Sequence, residues 1–331
     1  MFQLNSLSKK YSPHYDNKVN FSSSLEIETH ILGYQTQGES ILFFIYADSH
    51  IFFSGLVDCY KSKECNLVKD ILDNHKVQNL DFICWTHPDS DHSEGLSEII
   101  EAYTTEKTLI FIPEGVDQHS SDCSEKAQSL FNYLVSSLKE PAEHTNVYSA
   151  ACGTDMLINN SFCFFRGTSE YPLYINAFSP DSAYIRNQFY YGKFERNEQS
   201  IFLLIKIGDI FIALTGDLGN DAINRLPTVV RDLPLHICKI PHHGSSTSDC
   251  FPDIVINSCD IACSTVYRIG KCNLPDYSVL ETYKNKTEYL FCTGKKDKKQ
   301  EKDLYGSLSI RTNILECTCE IVAEGNVEKL K

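Results

Sequence analysis

The sequence lacks any apolar run long enough to cross a bilayer, and its longest apolar segments have the length of core strands. Residues 1–10 also lack the apolar centre of a secretory signal. We therefore expect a cytoplasmic protein that makes no contact with a membrane. The fourteen cysteines should then stay reduced, because reducing conditions prevail in the cytoplasm.

Basic side chains are few compared with acidic ones. The 331 residues include 30 lysines and arginines against 44 aspartates and glutamates, which gives a formal charge of −14. A protein that binds nucleic acid passively usually presents a basic face, so this balance argues against a simple DNA-binding module. It does not exclude an enzyme acting on phosphodiesters, because bound metal ions supply positive charge where carboxylates converge.

Two familiar chemical signatures are absent as well. Cys250, Cys259, Cys263 and Cys272 cluster loosely, but their spacing is not the tight paired pattern of a zinc ribbon. No Ser-His-Asp signature supplies a nucleophilic side chain. A hydrolase with a metal site would need no such nucleophile, because a divalent metal makes hydroxide available from bound water at neutral pH.

Short apolar strands and amphipathic helices alternate in both halves of the chain. Apolar runs at 40–46 and 51–57 predict a hairpin, and helical spacing of apolar residues predicts a helix at 124–140. A polar loop is expected before residue 199, and a second hairpin after it. The alternation favours an α/β sandwich. Residues 1–20 are polar and predict a loose leader, and residues 21–331 predict a single domain.

Three of the predicted strands end in side chains that bind metals. The candidates are His87, Asp89, Asp91 and His92 after the first strand, Asp217 after the second, and His242 and His243 after the third. Imidazole nitrogens and carboxylate oxygens suit divalent ions such as zinc or manganese. Each group alone is compatible with a polar turn, but three such strand ends can deliver their donors to one edge of the sheets.

In this order the motifs resemble those of the metallo-β-lactamase fold, and most closely the hydrolase domain of ComEC-type competence proteins and its stand-alone relatives. The matching segments are Gln37-Gly38-Glu39-Ser40, Val57-Asp58-Cys59, Thr86 to His92, Ser179-Pro180 with Asn197 to Ser200, Thr215-Gly216-Asp217, and Lys239 to Ser245. The resemblance implies a four-layer αββα sandwich and metal-dependent hydrolysis.

The resemblance also implies two divalent metal ions, zinc or manganese. The ligands would be His87 and Asp89 for one ion, Asp91 and His92 for the other, Asp217 as the bridge, and either His242 or His243. Asp91, His92 and Asp217 would carry the catalytic role. No third histidine motif lies between Asp91 and Asp217, which leaves one metal site short of a ligand.

Four further residues are candidates for supporting roles. Asp58 would orient the metal ligands through hydrogen bonds rather than bind a metal itself. Asn197, Ser245 and Ser248 would hold a phosphate oxygen, and their alternative role is ordinary turn and cap hydrogen bonding.

Three functions are compatible with these residues. The first, whose substrate and context are implied by the resemblance, is a phosphodiesterase, specifically a nuclease that cleaves DNA through a metal-activated water and serves with protein partners in bacterial defence. The second is a hydrolase of a cyclic nucleotide or another small ester, with Tyr184, Phe189, Tyr190 and Tyr191 lining a pocket. The third is a metal-depleted interaction module. The basic run at 295–302 predicts a solvated loop, or alternatively a phosphate contact.

Overall fold

The computed structural model describes residues 15–63, 65–116, 123–139, 146–158, 160–191, 195–294 and 304–331. The strands are β1 (Asn17–Asn20), β2 (Leu25–Tyr34), β3 (Glu39–Ala47), β4 (His50–Val57), β5 (Phe82–Cys84), β6 (Leu109–Pro113), β7 (Val147–Ala150), β8 (Phe162–Arg166), β9 (Ser169–Ala177), β10 (Leu203–Ile207), β11 (Ile210–Leu214), β12 (Leu233–Lys239), β13 (Ile256–Thr265), β14 (Thr287–Thr293), β15 (Tyr305–Asn313), β16 (Thr318–Gly325) and β17 (Val327–Lys329). The helices are α1 (Leu67–Asn74), α2 (Ser90–Ser93), α3 (Leu96–Tyr103), α4 (Glu125–Lys139), α5 (Ser182–Tyr191), α6 (Asn220–Arg225), α7 (Phe251–Val255) and α8 (Tyr277–Lys284).

The strands form two sheets. Sheet 1 has the order β16-β15-β2-β3-β4-β5-β6-β7, and sheet 2 has the order β1-β8-β9-β10-β11-β12-β13-β14-β17. In sheet 1 the strands from β4 to β7 run parallel, and in sheet 2 those from β11 to β14 run parallel. The carboxyl ends of neighbouring parallel strands share one edge of a sheet, so the segments that follow them are neighbours in space.

The apolar residues fall into three cores because alternate residues of a strand face opposite sides. In β3, Ile41, Phe43 and Ile45 belong to the core between the sheets, whereas Leu42 and Phe44 face helices α1, α3 and α4. A third core lies between sheet 2 and helices α6, α7 and α8. The order helix, sheet, sheet, helix confirms the αββα sandwich that the sequence predicts. Among the helices of the described residues, none combines the length and the apolar content needed to traverse a bilayer.

Most of the predicted elements are present. The two hairpins form as β3–β4 and β10–β11, and the predicted helix at 124–140 is α4. The basic run at 295–302 lies outside the described residues.

The prediction of a polar loop before residue 199 is wrong, because this segment contains the ten-residue helix α5. Oδ1 of Asp181 accepts the backbone N–H groups of Ala183 at 2.7 Å and Tyr184 at 3.1 Å, which caps the start of the helix. Ile185 and Gln188 are buried. The tyrosines expected in a loop therefore lie on a helix.

The predicted leader also differs from the structure at its end. Residues 17–20 form β1, which pairs in parallel with Phe162–Phe165 and buries Val19. This pairing joins segments about 145 residues apart in the chain, so local sequence patterns could not predict it.

Candidate metal centre

The predicted ligands lie on loops that follow parallel strands of both sheets. Asp58 directly follows β4, and the loop after β5 carries His87 to His92. Asp217 follows β11 in sheet 2, and His242 and His243 follow β12. Together these side chains (His87, Asp89, Asp91, His92, Asp217, His242 and His243) form what we call the strand-end cluster. Both sheets therefore contribute to one group of donors.

Unusual backbone conformations occur at this edge. Asp58, His242 and His243 have φ angles of 55°, 47° and 51°, in the left-handed region that non-glycine residues seldom adopt. Such strain persists where the surrounding structure imposes it, and it is common at functional sites.

Gly216 shows how closely the strand ends approach one another. Its φ is +52°, and a Cβ atom there would lie 2.9 Å from Oγ1 of Thr86. Only glycine can satisfy both the backbone angle and this contact. The motif Thr215-Gly216-Asp217 thereby brings Asp217 up to the loop after β5.

Four side chains form a compact group that we call the His92 subsite: Asp91, His92, Asp217 and His243. Nε2 of His92 lies 3.6 Å from Oδ2 of Asp91 and 3.4 Å from Oδ1 of Asp217. Nε2 of His243 lies 3.1 Å from Oδ2 of Asp91 and 3.4 Å from Oδ2 of Asp217. All four are at least 95% buried.

His87, Asp89 and Asp217 form a second group, the His87 subsite. Nε2 of His87 lies 3.7 Å from Oδ2 of Asp89 and 3.8 Å from Oδ2 of Asp217. Asp89 is partly exposed, and its Oδ1 contacts the Arg196 guanidinium at 2.6 Å. Asp217 faces both subsites, so its position is compatible with the predicted bridging role.

The two histidines after β12 have different environments. Nε2 of His243 faces the carboxylates of the His92 subsite without a hydrogen-bond partner in the described residues. Nε2 of His242 lies 4.0 Å from Asp217 and 3.1 Å from Nδ2 of Asn197. The geometry therefore favours His243 as the donor that the sequence left undecided.

Asp58 fixes the orientation of the histidines from sheet 1. Its Oδ2 accepts a hydrogen bond from Nδ1 of His92 at 2.7 Å and one from the Thr86 hydroxyl at 2.6 Å. The Thr86 oxygen in turn lies 3.0 Å from Nδ1 of His87. Because a carboxylate only accepts hydrogen bonds, both Nδ1 atoms carry protons and both Nε2 atoms face the cluster.

Glu39 has the same function for sheet 2. The Thr265 hydroxyl donates to its Oε2 at 2.8 Å and lies 2.7 Å from Nδ1 of His243. The Lys239 ammonium, with a fully buried side chain, lies 2.5 Å from the same carboxylate oxygen and 3.8 Å from Oδ1 of Asp217. Lys239 thus compensates the charge of Glu39, so we interpret Glu39 as an orienting group although it lies close to the donors.

The pKa values follow from this concentration of opposite charges. Burial opposes the charged form of each group, but the carboxylates of Asp217, Asp91 and Asp58 raise the pKa of His92 well above its usual value. Asp217 is also buried, and the neighbouring imidazoles of His243 and His92 hold its pKa well below the usual range. The donor groups are therefore strongly coupled, and a cation can take the place of the histidine protons between the carboxylates.

The donor set fits a divalent cation. Six of its buried atoms lack a hydrogen-bond partner within the described residues: Nε2 of His87, His92 and His243, Oδ2 of Asp91, Oδ1 of Asp217, and Oδ1 of Asp89, which is in ionic contact with Arg196. Donors bound to one tetrahedral ion at about 2.0–2.2 Å stand roughly 3.3–3.6 Å apart. The separations of 3.1–3.6 Å in the His92 subsite are close to that range. The His87 subsite has one histidine and two carboxylates, which suits a more weakly held ion.

The predicted phosphate-binding residues are engaged in local hydrogen bonds. Oγ of Ser245 accepts the backbone N–H of Thr247 at 3.2 Å. The buried Ser248 hydroxyl lies 3.1 Å from the carbonyl of Pro241 and 2.9 Å from that of Ser245. Contact of Asn197, Ser245 or Ser248 with a phosphate stays a prediction.

The structure adds residues that sequence reasoning did not identify as part of the site. Besides Thr86, Thr265 and Lys239, these include Ser200, whose hydroxyl oxygen accepts the backbone N–H of Asp217 at 3.2 Å. A lysine at the end of an apolar strand was an available signal for Lys239, since lysine is seldom buried without a partner. The threonines gave no such signal.

Comparison with known proteins gives low similarity. No protein-family model and no curated protein matches the chain. Among solved structures, a protein described as a metal-dependent hydrolase from Parabacteroides distasonis is 15% identical with a TM-score of 0.38, over 76% of this chain and 94% of that one. A diphosphatase of the PhnP family is 11% identical with a TM-score of 0.35, over 71% of this chain and 85% of that one. Zinc-bound PqqB from Methylobacterium extorquens is 11% identical with a TM-score of 0.38, over 71% of this chain and 88% of that one.

At these scores the likenesses carry no argument about the site.

Proposed function

We propose that this protein is a metal-dependent hydrolase whose metal ions bind in the strand-end cluster. The observation that carries the proposal is the convergence of buried, unpartnered donor atoms from three strand ends. In the proposal Asp91, His92, His243 and Asp217 hold one divalent ion, zinc or manganese. His87, Asp89 and Asp217 hold a second ion more weakly.

The roles of the chain's own groups follow from their contacts. A divalent cation bound in the cluster would supply a Lewis acid that makes water reactive near neutral pH. Asp58 and the Thr265–Glu39 pair keep the Nε2 lone pairs of the histidines pointed at the centre. Asp217 is held in place through its backbone by Ser200.

We propose a phosphodiester, specifically DNA, as the substrate. Two groups at the mouth of the cluster support a phosphate substrate: Arg196, which contacts Asp89, and the Asn197 amide, which contacts His242. Arginine is well suited to phosphate oxygens. Tyr190 and Tyr191, at the end of α5, are 83% and 74% exposed, and exposed aromatic rings can stack on bases. The motif resemblance is the further support for DNA.

The test is a digest of circular and linear DNA with manganese or zinc, using the wild-type protein beside His92→Ala and Asp91→Ala. We expect the wild type to cleave DNA and both variants to show only background cleavage. Both variants should keep the far-UV circular dichroism spectrum of the wild type. His50→Ala is the matched control, because His50 is exposed and makes no contact with the strand-end cluster in the described residues. Equal cleavage by His92→Ala would mean contamination or a wrong site and would overturn the proposal.

The same experiment addresses the alternatives. Hydrolysis of a cyclic nucleotide or a nitrophenyl phosphodiester without DNA cleavage would favour the small-ester hydrolase. Less than one equivalent of metal after reconstitution, without hydrolysis of any ester, would favour the metal-depleted interaction module. We propose in addition that the nuclease acts with protein partners in bacterial defence, which rests on the motif resemblance alone.

A further inference from the structure

A second group of metal-binding side chains lies on the outer face of sheet 1. Glu28 and His30 are alternate residues of β2 and share the face that turns away from the core between the sheets, where Ile27 and Ile31 lie. His75, the C-cap residue that directly follows α1, lies over them. We call Glu28, His30 and His75 the β2–α1 cluster. In the described residues none of the three contacts the strand-end cluster.

Two imidazole rings flank one carboxylate in this cluster. Nε2 of His30 lies 3.3 Å from Oε1 of Glu28, and Nε2 of His75 lies 3.7 Å from Oε2. One donor atom from each of the three residues lies within 4.8 Å of the others. Each imidazole therefore faces a different oxygen of Glu28.

The other ring nitrogen of His75 fixes the direction of that residue's free lone pair. Nδ1 of His75 lies 2.9 Å from the carbonyl oxygen of Ile71, which can only accept a hydrogen bond, so this nitrogen carries the proton. The lone pair of neutral His75 is then on Nε2, toward Glu28. Nδ1 of His30 contacts the Ser309 hydroxyl at 2.7 Å. Nε2 of His30 has no hydrogen-bond partner in the described residues, although His30 is only 5% exposed.

The neighbouring side chains hold the two rings in place. The Phe44 ring stacks on His75 with centroids 4.7 Å apart and an interplanar angle of 17°, and it meets His30 edge-on at 5.8 Å. Arg311, a cation near this cluster, is engaged elsewhere, because its guanidinium pairs with Glu26 at 2.7 Å and covers the ring of Tyr46. Glu28 therefore faces two imidazoles rather than a lysine or an arginine.

We propose that Glu28, His30 and His75 form a second, independent site for a divalent cation of the zinc class. Two imidazole nitrogens and one carboxylate, with a fourth position open to water, are a donor set that zinc adopts in proteins. The separations of 3.3 and 3.7 Å are close to the roughly 3.3–3.6 Å expected for donors on one tetrahedral ion. The side chains of His75 and Glu28 are 24% and 14% exposed, which leaves an approach from solvent.

An ion at this position would add a link between α1 and β2, which the hydrogen bond from the backbone N–H of Leu67 to the Tyr34 hydroxyl already joins at the start of the helix. Glu28 and His30 belong to β2, and His75 directly follows the last residue of α1. The Ser309 hydroxyl, which contacts His30, belongs to β15. A cation held by the three side chains therefore ties the segment that follows α1 to β2 of sheet 1.

The test counts metal equivalents on the full chain with zinc chloride as the only added ligand. Wild type, His75→Asn, Glu28→Gln, His50→Asn and Asp217→Asn are each reconstituted, desalted and measured by elemental analysis, and zinc affinities are measured by competition with a chromophoric chelator. His50→Asn controls for adventitious binding, because His50 is an exposed histidine outside the cluster. We expect His75→Asn and Glu28→Gln to lose about one equivalent, or to bind it at least tenfold more weakly. His50→Asn and Asp217→Asn should retain that equivalent.

DNA cleavage separates this proposal from the proposed function. His75→Asn should keep the hydrolytic activity of the wild type, because it does not touch the strand-end cluster. The proposal is overturned if His75→Asn and Glu28→Gln, both folded by circular dichroism, hold the same number of zinc equivalents with the same affinity as wild type. The three side chains would then form only an ion-paired group.

Discussion

For a single histidine, the property that matters is which ring nitrogen faces the strand-end cluster. A carboxylate decides this for the histidine from each sheet: Asp58 for His92, and Glu39 through Thr265 for His243. Asp58 also accepts hydrogen bonds from the backbone and the hydroxyl of Thr86. These partners hold the donors in position before any cation binds, which lowers the cost of assembling the site.

Replacing Asp58 with asparagine should weaken metal binding without unfolding the protein. The amide would offer Nδ2–H where His92 Nδ1 and Thr86 now find an acceptor, so the imidazole would lose its orientation. Loss of such a partner typically costs about 10- to 100-fold in metal affinity. Competition with a chromophoric chelator measures the change.

The matched control for Asp58→Asn is Asp81→Asn. Asp81 is another hydrogen-bonded aspartate at the start of β5, and its Oδ2 accepts hydrogen bonds from Ser54. It makes no contact with the strand-end cluster in the described residues, so its substitution should leave metal affinity unchanged. An affinity for Asp58→Asn equal to that of wild type would refute the orienting role of Asp58.

The buried pair of Lys239 and Glu39 predicts a strongly non-additive stability effect. Lys239→Met would leave the Glu39 carboxylate buried without its cation, which typically costs about 3–5 kcal/mol. Burial disfavours the charged lysine, but Glu39 and Asp217 raise the pKa of Lys239, which favours its ammonium form. The double variant Lys239→Met/Glu39→Gln should recover much of the lost stability. Urea unfolding measures both values, and simple additivity would contradict the coupling.

Among the elements, the turn at Arg196–Gln199 links the site to helix α6. Glu198 in this turn accepts the backbone N–H of Ala222, in the first turn of α6, and so caps a helix whose own N-cap residue is glycine. A Cβ atom on that residue, Gly219, would lie 2.1 Å from Oε1 of Glu198. In the segment from Asn197 to Ser200, the second residue, Glu198, therefore caps helix α6, and its neighbour Asn197 lies at the mouth of the site.

Burial of the capping carboxyl group of Glu198 predicts that the stability of the protein depends on pH. Burial raises the pKa of Glu198 above its ordinary value of 4.5, and the hydrogen bond from Ala222 offsets this only in part. A carboxyl group with a raised folded pKa contributes stability that is fully present below its unfolded pKa and is lost as pH rises through the folded pKa.

We therefore expect the free energy of unfolding of the wild type to fall relative to that of Glu198→Gln as pH rises above about 4.5. Glutamine keeps an oxygen that can accept from Ala222 but has no proton to lose. Urea unfolding of both proteins over a series of pH values measures the difference in free energy of unfolding. The contributions of titrating groups that both proteins share cancel in this difference. A constant difference across the series would show that burial does not shift Glu198.

At the scale of the whole molecule, the strand-end cluster joins the two sheets. His87, Asp91 and His92 follow a strand of sheet 1, whereas Asp217 and His243 follow strands of sheet 2. The ion pair of Glu39 and Lys239 makes a second link between the sheets. A cation in the cluster would thus add to the apolar core that already holds the sandwich together.

Metal removal should therefore lower the thermal stability of the entire domain. A ligand that binds only the folded state adds about 4 kcal/mol at a thousandfold excess over its dissociation constant. We expect zinc or manganese to raise Tm and chelation to lower it, as measured by scanning calorimetry. In a His75→Asn background, which lacks the second cation site proposed at the β2–α1 cluster, Asp217→Asn should lose most of the metal-dependent rise, because Asp217 faces both subsites of the strand-end cluster. A rise of equal size in Asp217→Asn would place the stabilising ion elsewhere.

The sequence by itself determined the layered fold and the membership of the strand-end cluster. Burial of one face of a strand or helix places apolar residues at a regular spacing within a short segment. This local spacing predicted the hairpins and the helices. The donors after β5, β11 and β12 were also visible, since each group is contiguous in sequence. Helix α5 was missed although Asp181 offered a local cap signal.

Only the tertiary structure decided which atoms meet. The choice of His243 over His242, the relays through Thr86 and Thr265, and the pairing of Lys239 with Glu39, 200 residues away, depend on contacts between the sheets. The β2–α1 cluster depends in the same way on α1 lying across β2. Such contacts leave no periodic signal, because the partners are far apart in the chain and each residue type is ordinary where it stands.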